Sequence, residues 1–244
     1  LKKQQLHKFL AKTHKWIGLI LGLQVLAWTV GGVVMSWIPI DTVRGAHNVA
    51  VHAPVALPNV EGLLPLGNFA IQGKGQIQQA TYKTLLGRPV VRLMHLGGQV
   101  TLVDARTGEL LSPIDEQVAR QIADADFKPD VPIASSTLLD AHTIDYRGPL
   151  PVWQVMFADE DTTSIYVSPA EGRVLARRSA TWRLYDFFWM LHIMDYDERE
   201  NFNNPLIMTF AFSAVLFTLS GLGLMFFRFY RRDFNWLLGR RKRR

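Results

Sequence analysis

No cysteine occurs in the 244 residues, so disulfides, thiolate metal sites and iron–sulfur clusters held by this chain are excluded. No acidic residue precedes Asp41, and no charge of either sign falls within residues 16–40 or 205–227. Missing too are a Gly-x-Ser-x-Gly elbow, a phosphate-cradling glycine loop after a strand, and a His-Glu-x-x-His pair. Those absences remove the common hydrolase, nucleotide-binding and zinc-protease signatures. The carboxylates are scattered, without a spacing suited to acid–base work.

What the chain has in quantity is apolar length. A helix of about 20 mostly apolar residues crosses a hydrocarbon core of about 30 Å, and both charge-free runs reach that length. They predict transmembrane helices over 16–40 and 205–228. The first is too long for a cleaved signal and lacks a small-residue cleavage pattern after it. A chain beginning at Leu1 rather than Met is expected to be a processed or truncated product.

Net charge is +6 and the pI about 9.7, values that alone suggest nucleic acid. The distribution points elsewhere. Five lysines precede Trp16 with no acid, and from Arg228 onward eight basic residues face one acid, Asp233. The middle of the chain is net acidic. Lys and Arg near span ends collect on the cytoplasmic side, whereas long translocated domains are indifferent to charge. Both ends, 1–15 and 229–244, are therefore expected in the cytoplasm against anionic lipid headgroups, and 41–180 outside, with no nucleic-acid partner.

Small and aromatic residues mark the spans. Gly18 and Gly22, Gly31 and Gly32, and Ser220, Gly221 and Gly223 are candidate helix-packing positions, because small residues let helices approach closely. Trp16, Trp37, Trp182, Trp189, Phe226 and Tyr230 are expected as interface anchors. Pro39 ends the first helix; Asn204 caps the second, with Pro205 in its first turn. Residues 181–194 are too short and too charged to span, and their aromatic content suits a helix lying in the outer interface.

Between the spans, similar segments recur at about 75–112 and 140–178, each with strands, a polar turn and a glycine turn. An earlier strand is expected before each copy, near 79–85 and 143–146. Residues 114–125 have helical periodicity, with Asp115 and Glu116 in the first turn. The expected fold class is an α+β membrane protein: two transmembrane α-helices flank an exterior antiparallel β/α domain with an internal repeat.

Histidines supply the remaining chemistry. His47 and His52, five apart in a loop, have no carboxylate to complete a metal shell, so no metal site is assigned. Acidic residues 195–200 lack the glycine-containing spacing of a calcium loop. His14 and His192 are candidate haem ligands, but they fall at opposite membrane faces, so a partner or second copy has to supply the other ligand.

Several pieces together resemble the PepSY-associated transmembrane family of bacterial inner-membrane proteins. They are Thr13-His14-Lys15-Trp16-Ile17-Gly18-Leu19, Val30-Gly31-Gly32-Val33, the twin strand modules with Asp104-Ala-Arg-Thr-Gly-Glu-Leu-Leu, Trp189-Met-Leu-His192, and Ser220-Gly221-Leu-Gly-Leu. The resemblance implies a helix, a periplasmic PepSY domain and a returning helix. It further implies relatives with more spans that bind haem b, some reducing ferric siderophores, and PepSY modules linked to peptidase inhibition. With only two spans and no self-sufficient catalytic constellation, this chain is expected to be a non-catalytic accessory or assembly subunit. Its expected partners are then other integral membrane subunits, those of a respiratory or other redox complex, with no cofactor held by the chain alone. The alternatives are a haem-binding electron carrier and a periplasmic peptidase inhibitor or sensor.

Overall fold

The computed structural model describes residues 3–51, 61–69 and 76–228. They divide into two compact units, one of Leu1–Trp37 with Tyr185–Arg244 and one of Ile38–Leu184.

The first unit is helical. Helix α1 runs over Lys3–Trp37, so the basic lead-in and the apolar run form one continuous helix that stops two residues before Pro39. The chain turns through the short α2, Ile40–Val43, into the second unit. Helix α5 spans Pro205–Arg228 and packs on α1. The carboxamide of Asn204 accepts the Ile207 N–H at 2.9 Å, satisfying one of the donors that a helix start leaves open. Both helices are long and apolar enough to cross a membrane, with only 11% and 6% of their apolar windows buried.

The second unit holds two antiparallel sheets. Strands β1 (Ile77–Leu85), β2 (Arg88–His95) and β3 (Val100–Asp104) form one in that order. Strands β4 (Ile133–Leu139), β5 (Val152–Phe157), β6 (Ser164–Val167) and β7 (Val174–Arg178) form the other. Helix α3, Glu116–Asp126, connects them, and Asp115 caps it by accepting the Val118 N–H at 2.8 Å. The first strand of the second sheet corrects the sequence reading. It lies at Ile133–Leu139, while 143–146 is a turn closed by Tyr146 N–H to the Thr143 carbonyl at 3.2 Å. The polar Ser135-Ser136-Thr137 centre of β4 masked its pairing with β5.

Alternation decides which face each strand buries. Val155, Phe157, Ile165 and Val167 turn toward Ala119, Ile122 and Ala123 of α3. From the opposite face Val152 and Tyr166 pack with Tyr146, whose ring stacks on Tyr166 at 4.6 Å. In the first sheet Val91, Leu93 and Val103 bury against Phe69. Each buried large side chain contributes about 1.5–3 kcal/mol.

Two turns close their sheets in the same way. Asp104 takes the N–H groups of Arg106 and Thr107 on one oxygen, both at 2.8 Å, and the Gly108 N–H returns to its carbonyl at 3.0 Å. The Ser168 hydroxyl accepts the Glu171 N–H at 3.2 Å, and the Gly172 N–H returns to the Ser168 carbonyl at 2.9 Å. Gly108 and Gly172 have φ of 76° and 57°, the left-handed region that glycine enters without penalty.

Candidate functional site

The helical unit carries most of the residues singled out from sequence, and its centre is an interlocked contact between α1 and α5. The His14 ring stacks on Phe217 with centroids 4.1 Å apart and planes 8° from parallel. Its Nδ1 lies 2.9 Å from the Ser220 hydroxyl and 3.2 Å from the Phe217 carbonyl. A carbonyl only accepts, so Nδ1 is the donor in this contact and Nε2 is left outside it. Small residues make the room. A Cβ on Gly221 meets His14 Cε1 at 3.1 Å, one on Gly18 meets Phe217 at 2.8 Å, and one on Gly223 meets Leu10 at 3.1 Å.

The other candidate glycines differ. A Cβ on Gly31 meets Phe188 at an ordinary 3.6 Å or more, whereas one on Gly22 or Gly32 meets nothing within 4 Å among the described residues. Of the Gly18–Gly22 pair, only Gly18 touches α5.

Helix α4, Ala180–Ile193, ends against α1. A helix end leaves its last carbonyls without intrahelical partners. Here three consecutive ones accept side-chain donors: Leu191 from Gln24 at 3.0 Å, His192 from Trp28 at 2.9 Å, and Ile193 from Asn204 at 2.9 Å. Gln24 was the one amide within an otherwise apolar run, a signal available in the sequence.

His192 lies between indoles, 6.3 Å from Trp28 and 6.5 Å from Trp189, and its buried Nδ1 has no partner among the described residues. On the same helix, Asp186, 7% exposed, pairs with Arg199. The Trp189 N–H donates to the Arg199 carbonyl at 3.2 Å. Neither the pairing of Asp186 with Arg199 nor the capping by Trp28 was legible beforehand, because no local spacing links those residues.

Trp16 and Trp37 are exposed, at 54% and 83%. Trp182 lies in the sheet unit with the Arg178 guanidinium 4.1 Å above its ring. Phe226 falls in the last turns of α5; Tyr230 lies outside the described residues, as does His52. His47 sits in a short 3-10 turn, Ala46–Asn48. Among the described residues no group of three His, Asp or Glu side chains has the arrangement of a metal shell.

In the sheet unit the charged groups serve the turns. Burial pushes the Asp104 carboxyl up, but the Thr107 and Arg106 N–H groups and the Arg88 guanidinium outweigh it and hold the group below its ordinary range. Glu171 likewise overcomes burial through Arg92 and Arg173, whose Nε atoms share one of its oxygens at 3.1 and 2.9 Å.

A haem clamped between His14 and His192 does not fit. His14 packs beside Ser220, whereas the backbone of His192 is bonded to Trp28, about 21 Å farther along α1 at 1.5 Å per residue.

The family described as PepSY-associated TM region matches residues 11–244. No curated protein and no solved structure matches the chain.

Proposed function

The chain belongs to the PepSY-associated transmembrane family, and from that premise we propose that it is a non-catalytic accessory subunit docked through its helices to a larger membrane complex. It is a membrane protein with two spans and an α+β architecture. The observation that carries the proposal is how little of the two spans their mutual contact covers. His14, Gly18, Ser220 and Gly221 are used up in the contact between α1 and α5. A Cβ on Gly22 or Gly32 meets nothing within 4 Å among the described residues, and only 11% and 6% of the two apolar windows is buried. Close approach at glycines is the usual basis of helix association in lipid.

The finer parts of the proposal rest on charge and pattern. Basic residues at both ends favour a bacterial inner membrane with both termini cytoplasmic and the sheet unit periplasmic. The shared closing turns at Gly108 and Gly172 support reading the two sheets as copies of one module. A respiratory or other redox complex is the proposed host. Purification in mild detergent followed by native mass measurement is the test: co-purifying membrane chains are expected, and a homogeneous lone monomer overturns the proposal.

One observation favours a second reading, in which a partner and this chain share a haem b. A metal-ligating histidine usually donates its other ring N–H to a carbonyl or similar acceptor, and His14 does so to Phe217 and Ser220, leaving Nε2 as the ligand. A haem would supply one-electron transfer. This reading expects a Soret band that His14→Ala removes; a colourless complex excludes it.

A further inference from the structure

Helix α1 carries a second surface, distinct from the one that meets α5. Lys8, Lys12 and Lys15 follow one another at steps of four and three residues, which places them on one helical face. All three are exposed, and none belongs to an ion pair among the described residues. The same stepping continues through Leu19, Leu23 and Leu26, exposed by 71%, 79% and 58%. One stripe therefore changes from cationic to apolar as it ascends.

The depth of the lysines is set by their neighbour. Beside this part of α1, α5 places Ser220 against His14, Gly223 against Leu10 and Phe227 against His7. The apolar run of α5 thus extends alongside the lysines to the level of His7. Ammonium groups at hydrocarbon depth reach for phosphates at the interface while their stems stay in apolar surroundings.

We infer that this stripe is a binding site for one anionic phospholipid, with its phosphate on Lys12 and Lys15 and an acyl chain along Leu19, Leu23 and Leu26. From Lys15 to Leu26 the helix rises about 16 Å at 1.5 Å per residue, about half of a 30 Å core and hence one leaflet's depth. Lys8 extends the cationic end by about one turn. The inference needs the membrane reading but no partner complex, so it stands or falls separately from the accessory role.

The test uses the full chain, purified in mild detergent from nanodiscs of phosphatidylcholine containing or lacking phosphatidylglycerol, with retained lipid read by native mass. Wild type is expected to retain phosphatidylglycerol over phosphatidylcholine by roughly tenfold or more. K12Q/K15Q is expected to lose that preference and K12R/K15R to keep it. Leu19→Ser with Leu23→Ser is expected to reduce retention while leaving the preference, because the phosphate contacts remain. Added glycerol phosphate is expected not to displace the lipid; displacement by it means a headgroup site without a chain and overturns the inference. Equal retention of the two lipids by wild type overturns it, as does unchanged retention in K12Q/K15Q. Should that variant fail to fold, wild type in rising salt decides: a falling preference supports the site and a constant one removes it.

Discussion

The side-chain amide of Gln24, in the apolar stretch of α1, donates to the carbonyl of Leu191 at the end of α4, 3.0 Å away. One turn on, Trp28 does the same for His192 at 2.9 Å. Away from bulk water, an unpaired carbonyl finds no other donor. Gln24→Leu, which keeps bulk, and Trp28→Phe, which keeps an aromatic ring, each remove the donor and are each expected to cost about 1–2 kcal/mol. Hydrogen exchange at the end of α4 is expected to rise in both variants, and unchanged exchange there would contradict a capping role.

The glycines are expected to separate into two behaviours. Gly18→Ala drives a methyl into Phe217, which cannot swing freely because His14 stacks on it, so the variant should melt earlier in detergent. Gly22→Ala adds a methyl to open space and gains roughly 0.5–1 kcal/mol of helix propensity. Thermal scans of the two variants check the order. In the assembled complex the ranking for Gly22 should reverse, since there its open side is proposed to be covered.

Asp186 is buried and its partner Arg199 partly so, and cutting one partner strands the other's charge. Asp186→Asn and Arg199→Leu are each expected to lose about 3–5 kcal/mol, while an apolar replacement of both recovers most of it. A double-mutant cycle on detergent stability measures that coupling. Additive losses would show the two side chains to be independent.

Asp104 makes stability depend on acid. Its folded pKa lies below the ordinary value of 3.8, so the folded state holds the ionised form more tightly than the unfolded state does. That contribution is complete above the ordinary carboxylate range and is lost as pH falls through the lower folded value. Asp104→Asn is expected to cost about 1–3 kcal/mol at neutral pH. The gap between variant and wild type should close on acidification, as followed by unfolding of the full chain. A gap constant with pH would assign the loss to shape alone.

Sequence patterning exposed the parts whose signal is local. Both apolar runs, the periodicity of α3 with Asp115 at its start, and the alternation of β2 with Val91 and Leu93 inward can be read within a dozen residues. β4 was missed because Ser135, Ser136 and Thr137 sit where a reader looks for Val or Ile, and its partner β5 supplies the apolar surface instead. The contacts of the helical unit were less accessible. His14 was singled out, yet nothing local says that its ring lies on Phe217, more than two hundred positions away. Gln24 was visible as a lone amide; its acceptor was not, since a carbonyl leaves no mark on sequence. The registration of α1 against α5 joins His14 to Phe217, with room made at Gly18 and Gly221, and the end of α4 against α1 joins Gln24 to Leu191.

The donor in Gln24 and its acceptor in Leu191 are separated by 167 positions, which has a consequence for biogenesis. At synthesis rates of about 5–20 residues per second, the amide emerges roughly ten to thirty seconds before the carbonyl it will serve. Over that interval it has to borrow hydrogen bonds from water, lipid headgroups or the insertion machinery. The first span therefore enters the bilayer with a temporary debt, settled only when the last quarter of the polypeptide arrives.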